Sequence, residues 1–351
     1  MTGLRGNGQN GVVLMIVPGS VEDGEVRVTL PFVRSQAESM EKAGWMVVYG
    51  VVDDRTSPSG VMRNAKKLRA LARRVEPSLV HAQYGSMTAA LAAFVAGSLP
   101  LVVSFCGDDL LGTPIPTVKW RVRAGAARRL GLLAAARAAA IVVKSRNLFE
   151  ALPGRLRRRA VILPNGVDTE WFRPLDHRAC RLTLGWDPEA KVVLFHASRG
   201  EDRWRKNPAL AQAVVDIVGR REPRVSLVMI SDVTREEVQL MLNAADCLLV
   251  TSLQEGSPNM VKEAMACNLP VVSVPCGDIP ERLASTRPGT LCPYDTEALA
   301  DALLEVLRTG ERSNGREQIY LQGLTASHVA VRLGEVYQRV LSREPAAAVG
   351  A

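Results

Sequence analysis

The chain has 351 residues, of which 47% are hydrophobic and 23% charged, and its formal net charge is +8. That length exceeds what one ordinary core serves and predicts two domains. The composition excludes a disordered or collagen-like chain, while the basic surplus points to an acidic ligand or surface without choosing among nucleic acid, anionic lipid and phosphorylated substrates.

The first half alternates strand and helix. Gly11–Pro18 is a buried-strand run and 19–24 a flexible, Gly-containing loop. A helix pattern over 30–43 is closed by Gly44 and followed by a strand at Trp45–Val52. After a turn-rich stretch come a basic amphipathic helix at 61–74, a strand at 78–83, an Ala-rich helix at 87–96 and a strand at Leu101–Phe105. Such βαβα alternation with short linkers predicts a parallel sheet covered on both faces. In the segment 118–139, Lys119, Arg121, Arg123, Arg128, Arg129 and Arg137 punctuate an Ala/Leu/Val background, and Arg155, Arg157, Arg158 and Arg159 follow. A segment of this kind fits an anionic membrane surface, and equally a solvated helix face whose Arg stems cover apolar surface. The stretch 131–143 is too short to span a bilayer and contains Arg137.

A strand at 140–144 and a short run at 160–163 lead into Pro164-Asn-Gly-Val-Asp168, whose Asn-Gly pair is a turn by its chemistry. Polar residues and Pro interrupt the pattern at 174–186, and the domain boundary is placed there. The second half repeats the alternation: strands at Lys191–His196, 224–230 and 247–252, helices at 208–220 and 235–245. A segment at 278–283 follows, and further helices are expected around 297–307 and at 329–341. His81 and His196 both fall in strand patterns and read as hydrogen-bonded core histidines.

The most informative stretch is CLLVTSLQEGSPNMVKEAMACNLPVVSV, from Cys247 to Val274. It reads as strand, tight loop, helix and strand. Ser257 is suited to cap the helix, with Pro258 at the first helical position, and Asn268 and Pro270 to end it. In a parallel sheet such a loop lies at the carboxyl end of the strands, where ligands bind, and the helix start suits an anion. Glu255 in the loop and Glu263 in the helix offer two acceptor groups; Pro258 and Glu263 are separated by ~7.5 Å of helix rise. A second loop, SRGEDRWRKN at 198–207, also follows a strand and precedes a helix. It holds Arg199, Arg203, Arg205 and Lys206, cations of the kind a diphosphate attracts.

Glu255-Gly-Ser-Pro-Asn259 through Lys262-Glu263-Ala264, followed by Asn268-Leu-Pro-Val-Val272, resembles the E-x7-E signature of the family 4 glycosyltransferases. The Pro164–Asp168 segment is similar to the start of the interdomain linker in that family. The resemblance implies the GT-B fold, an α/β architecture of two Rossmann-like parallel-sheet domains facing a cleft. Residues 1–174 would form the acceptor-side domain, with the C-terminal helix in 326–351 packing back on it, and 175–325 the donor domain.

Carried over residue by residue, the resemblance implies that Glu263 accepts from ribose hydroxyls and Glu255 contacts the donor sugar, with Gly256, Ser257, Pro258 and Asn259 at the sugar or diphosphate. Lys206 matches the family's diphosphate lysine and Arg199 its arginine, with Arg203 and Arg205 as alternatives in a longer loop. Ser104-Phe-Cys-Gly-Asp-Asp-Leu110 resembles the loop that faces the cleft from the first domain. Cys106 stands there where His is common, beside Gly107, Asp108 and Asp109, which are candidates for the acceptor. Gly19 matches the family's Gly-containing loop after the first strand.

The expected reaction is retaining sugar transfer from a nucleotide-diphosphate sugar to a glycan or polyprenyl- or lipid-linked acceptor. No Asp-x-Asp and no metal-spaced cluster occurs, so neither metal nor cofactor is expected. The alternatives are a GT-B nucleotide-sugar epimerase, which needs no acceptor, and a non-catalytic nucleotide-sugar or nucleic-acid binder. Nucleic acid is not expected as a partner, since aromatic residues are 5% and no recognised motif appears. Six scattered cysteines without a C-x-x-C pair and an N-terminus without an apolar run predict a cytoplasmic protein without a signal peptide. Lys119–Arg137 and Arg155–Arg159 are the segments expected to touch the inner face of a membrane.

Overall fold

A computed structural model describes residues 10–22, 25–28, 31–112, 118–197 and 204–342. The chain divides into two compact units, 1–166 with 326–351, and 167–325.

In the first unit the elements run β1 (Gly11–Glu22), β2 (Glu25–Val28), α1 (Pro31–Lys42), β3 (Trp45–Val52), α2 (Pro58–Val75), β4 (Leu79–Gln83) and α3 (Ser86–Ala96). They continue as β5 (Leu101–Phe105), α4 (Asp108–Leu111), α5 (Val118–Arg137), β6 (Ala140–Val143), α6 (Arg146–Ala151), α7 (Gly154–Arg157) and β7 (Ala160–Ile162). The second unit contains α8 (His177–Leu184), β8 (Lys191–His196), α9 (Pro208–Arg221), β9 (Val225–Ile230), α10 (Arg235–Ala244) and β10 (Cys247–Val250). After these come α11 (Asn259–Ala266), β11 (Val271–Ser273), α12 (Ile279–Leu283), β12 (Thr290–Leu291), α13 (Thr296–Thr309) and α14 (Gly315–Leu321). The last helix, α15 (Ala326–Ser342), belongs to the first unit. No described helix is long and apolar enough to cross a membrane.

The first sheet has β1 at its switch point: β3 pairs with one side of β1 and β4 with the other, and β5, β6 and β7 follow, all parallel. The central strands are near-continuous runs of Val, Ile and Leu, as expected of strands buried on both faces. One face is covered by α1 and α15, the other by α2, α3 and α5. Tyr337 of α15 anchors the first of these layers. Its hydroxyl lies 2.5 Å from His81 Nδ1, Ser104 Oγ lies 2.7 Å from His81 Nε2, and the Tyr337 ring meets Trp45 edge-on at 5.1 Å. Burial holds the His81 pKa down at about 3, so it is a neutral, hydrogen-bonded core histidine.

The second sheet is parallel, in the order β12-β11-β10-β8-β9. The chain goes from β8 to β9 on one side and then places β10 on the other side of β8. The β8/β10 junction is therefore the switch point, and its carboxyl edge is where an open α/β sheet binds ligands.

Three expectations are corrected. Gly19 is not in a loop: β1 continues to Glu22 and pairs antiparallel with β2, Gly19 opposite Val28. A Cβ at Gly19 would lie 2.3 Å from the Arg27 carbonyl, so the glycine permits close strand approach. Residues 23 and 24 of that expected loop lie outside the described residues.

The boundary falls before Val167 rather than near 174. Val167 N–H donates to Leu324 O at 2.9 Å and Phe172 is buried in the second core. Arg316 also donates to the carbonyls of Thr169 and Phe172, both at 3.0 Å. These bonds hold 167–174 to the second unit.

The basic segments are only partly free for a surface role. Arg137 donates to the carbonyls of Ala93 and Gly97 at 3.0 Å each. Arg157 donates to those of Leu152 and Glu150, and Arg159 to those of Ala138 and Ala136. They satisfy carbonyls that helix ends leave unpaired. Arg121, Arg128, Arg129, Arg155 and Arg158 are exposed.

Candidate active site

Strand β8 ends at His196 and its loop returns through a 3₁₀ turn, Trp204–Lys206, into α9. Asn207 caps that helix in the left-handed region, φ 54°, with Pro208 in the first turn. Strand β10 ends at Val250 beside it. Thr251 Oγ1 lies 2.9 Å from Lys206 O and 3.0 Å from Asn207 O, and Leu253 N–H donates to Arg205 O at 2.8 Å. The two loops, distant in sequence, are thereby clamped at one sheet edge.

From this clamp Lys206 Nζ donates to Glu255 Oε1 at 2.6 Å. Burial alone would raise the Glu255 pKa. The charge and hydrogen bond of Lys206, with Arg205 and Ser252 adding to them, outweigh it and hold the carboxyl below its usual range. His196 lies close enough to feel both charges: burial first, then Lys206, lowers its pKa to about 4, against the opposing pull of Glu255. The imidazole is neutral, and among the described residues nothing hydrogen-bonds it. Its expected place as a hydrogen-bonded core residue is corrected, because β8 ends at this residue and the ring sits half-buried at the ligand-binding edge.

Helix α11 buries Val261, Ala264 and Met265 and leaves Asn259, Met260 and Glu263 half-buried on the other side. Burial raises the Glu263 pKa to about 7, partly offset by the charges of Lys262 and Arg235. Among the described residues the Glu263 carboxylate has no hydrogen bond, so it is an acceptor available to a ligand. Arg235 itself is held by Asp168 at 2.7 Å and lies over the Trp171 ring, which gives the aspartate of the Pro164–Asp168 segment a place beside this helix.

Ser257 does not cap the helix. Pro258 is the N-cap residue and no side chain caps α11. The Ser257 hydroxyl donates to Asp278 Oδ2 at 2.8 Å and accepts from Lys262 Nζ at 3.0 Å, all three residues being buried. A charged acceptor 21 positions away outcompetes the local backbone. Ser257 therefore supports the loop rather than presenting its hydroxyl to a ligand. Arg282 lies 3.2 Å from the same Asp278 oxygen, and Asp278 N–H donates to Gly256 O at 3.0 Å. Gly277, φ 60°, backs the loop so closely that a Cβ would lie 2.4 Å from Gly256 O and 3.0 Å from Glu255 Cβ.

Lys206, Glu255, Gly256, Pro258, Asn259 and Glu263 thus share the region around the β8/β10 edge, with Arg205 in the same turn. Arg199 and Arg203 lie outside the described residues. The residues missed from sequence are Thr251, Lys262, Gly277, Asp278 and His196. A lysine on the apolar face of α11 was the one available signal for the buried charges.

In the first unit, Asp109 is not free for an acceptor. Its carboxylate accepts from Gly85 N at 2.7 Å, Gly107 N at 2.8 Å and Cys106 N at 2.9 Å, and it is buried. Burial and neighbouring Asp108 raise its pKa to about 6 despite those donors. Asp108 accepts from Tyr84 Oη at 2.8 Å. Burial, with Asp109 adding to it, pushes the Cys106 thiol up, so it stays protonated. Gly107 has open space around its Cα. Lys144 at the end of β6 is buried, with no hydrogen-bond partner for Nζ among the described residues, and burial lowers its pKa.

Two Rossmann-like parallel-sheet units, the second carrying a clamped cation–carboxylate pair at its switch point, define the GT-B class. Sequence families agree with this: "Glycosyltransferase Family 4" matches residues 7–171 and "Glycosyl transferases group 1" matches 191–309, most of the chain between them. The chain belongs to the family 4 glycosyltransferases. Curated relatives include D-inositol 3-phosphate glycosyltransferases of Saccharomonospora viridis, 32% identical over 46% of this chain and 44% of the relative, and of Catenulispora acidiphila, 32% identical over 55% and 52%. The chain spans about half the length of the curated relatives it matches. Among solved structures, sucrose-phosphate synthase from Thermosynechococcus elongatus has a TM-score of 0.70 at 16% identity, covering 95% of this chain and 99% of that one. HepE of Anabaena, solved in complex with UDP, has a TM-score of 0.65 at 17% identity, covering 93% and 99%. At such identities these two show the fold.

Proposed function

We propose that the protein is an enzyme that transfers a sugar from a nucleotide-diphosphate sugar to a hydroxyl acceptor with retention at the anomeric carbon. The observation that carries this reading is the Lys206–Glu255 pair at the β8/β10 switch point, with the Glu263 carboxylate, which has no hydrogen bond among the described residues, on the following helix α11. In this reading Glu263 accepts from the ribose hydroxyls, Glu255 contacts the donor sugar, and Lys206 with Arg205 faces the diphosphate. By the family resemblance, Arg199 and Arg203 are further candidates for the diphosphate.

As the bond between the anomeric carbon and the diphosphate oxygen breaks, negative charge grows on that oxygen, and the cations stabilise it. The acceptor oxygen attacks from the same face, and its proton passes to the departing diphosphate. No enzyme nucleophile, metal or cofactor is called on; the leaving group is neutralised by side chains. UDP in the HepE structure supports a uridine donor as the first to test. The acceptor is a glycan, a lipid-linked hydroxyl or, following the name of the curated relatives, an inositol phosphate.

The experiment is a panel of nucleotide-diphosphate sugars with and without each acceptor, following nucleotide-diphosphate release and product mass. Acceptor-dependent release supports the reading. An altered sugar formed without acceptor assigns the protein to epimerases instead, and nucleotide binding with no turnover makes it a binding module.

A further inference from the structure

Helices α2, α3 and α5 lie side by side on one face of the first sheet. Arg69 of α2 lies over the Phe94 ring of α3 at 4.2 Å, and Arg137 of α5 donates to the last carbonyls of α3. By sequence the three helices hold twelve of the 44 Lys and Arg residues and none of the 36 Asp and Glu residues. The rest of the chain therefore carries 32 cations against 36 carboxylates, a net of −4. The whole positive surplus of the protein resides in this one helix layer.

Lys66, Lys67, Arg69, Arg73 and Arg74 on α2, and Arg121, Arg123, Arg128 and Arg129 on α5, are exposed. Arg63 is paired with Asp53 at 3.2 Å and adds less. Between the cations stand exposed apolar side chains: Met62, Phe94, Val122 and Leu133.

We infer that this three-helix face is a docking surface for an anionic phospholipid bilayer. Three helices rich in cations and containing no carboxylate of their own draw the face to the charged headgroups, and aliphatic side chains among them gain from entering the interface. A nucleic-acid surface explains the charge but leaves Met62, Val122 and Leu133 facing polar phosphates, and the one exposed aromatic ring among the described side chains of these helices, Phe94, lies under Arg69. The face belongs to the first unit and shares no residue with the β8/β10 site of the second, so the inference stands or falls independently of the sugar-transfer reading.

The test is flotation of the full chain with phosphatidylcholine vesicles, with and without phosphatidylglycerol. Wild type should float only with the anionic vesicles, less so as salt rises. Replacing three cations on α2 (Lys66→Glu, Lys67→Glu, Arg73→Glu), or three on α5 (Arg121→Glu, Arg128→Glu, Arg129→Glu), should each cut binding by about a hundredfold or more. Phe94→Ser with Leu133→Ser should remove the binding that survives high salt. All these side chains are exposed, so thermal melts should match wild type, and the salt series on wild type reads the face with no substitution at all. Absence of wild-type binding overturns the inference, as does an α2 variant that binds like wild type. Wild type binding a duplex oligonucleotide but no vesicle overturns it too, and gives the face to nucleic acid.

Discussion

The Lys206 amine and the Glu255 carboxylate form a 2.6 Å ion pair between side chains only 11% and 12% exposed, one from the turn before α9 and one from the loop before α11. Breaking a pair this buried leaves a charge without compensation, which is costlier than never having had the pair. Lys206→Met should therefore lose about 3 kcal/mol of stability, and kcat/KM for sugar transfer should fall about a hundredfold or more. Adding Glu255→Gln should recover much of the stability and none of the turnover. Urea unfolding and nucleotide-diphosphate release read the two effects separately; an unchanged kcat/KM in Lys206→Met would rule the lysine out as a diphosphate contact.

Glu263 gives a pH signature. Burial holds its carboxyl at about 7 in the folded chain, against an ordinary value of 4.5. The folded state thus binds that proton more tightly than the unfolded state. The stability it contributes is complete below 4.5, declines as pH rises and is gone above about 7. Glu263→Gln should flatten this slope in unfolding curves taken across the interval. If the ionised form accepts ribose hydroxyls, wild-type affinity for a nucleotide diphosphate should also rise through about pH 7 more steeply than that of Glu263→Gln. Parallel profiles would remove Glu263 from the ribose.

Gly277 is a position where one methyl group should act at a distance. Its φ of 60° strains any other residue, and a Cβ there meets Gly256 O at 2.4 Å. Gly277→Ala should cost about 1–2 kcal/mol from the left-handed backbone alone, with more from the contact. Displacing Gly256 moves Glu255, so calorimetric titration with a nucleotide-diphosphate sugar should show at least a tenfold weaker Kd. Normal melting and normal affinity together would mean that the loop does not rest on this glycine.

Asp278 is predicted to hold the loop through charge. Asp278→Ala leaves Lys262 and Arg282 without their buried carboxylate and should destabilise by about 3 kcal/mol. Lys262→Met in the same chain should relieve a large part of that loss, a coupling that a double-mutant cycle measures. Additive losses would show that Lys262 and Asp278 act independently.

The sequence made the second unit's strands and helices readable because local signals agreed there. The apolar runs of β8 and β10 are strand-length, Pro208 and Pro258 mark helix starts, and Asn268 does adopt the left-handed conformation, φ 56°. What it obscured was non-local. Ser257 looks like a helix cap until Asp278 is seen to take its hydroxyl. Gly19 looks like a loop glycine until β2 pairs alongside it. Asp109 looks available until three backbone N–H groups converge on it. His196 looks like a core residue because periodicity cannot say where along a sheet edge a strand ends. Each is a competition between a local preference and a partner that only the tertiary fold delivers.

The hydrogen bonds from Thr251 and Leu253 to the 204–207 backbone bear on how this site can be inherited or rebuilt. They make the two loops one transplantable part. A chimera taking its 204–207 turn from one relative must take 251–255 from the same parent, or the lysine arrives without the seat that aims it at the carboxylate. Attempts to retune donor choice by exchanging one loop alone should yield folded but poorly aligned sites, and recombination between relatives should be tolerated best where the crossover leaves both loops on the same side.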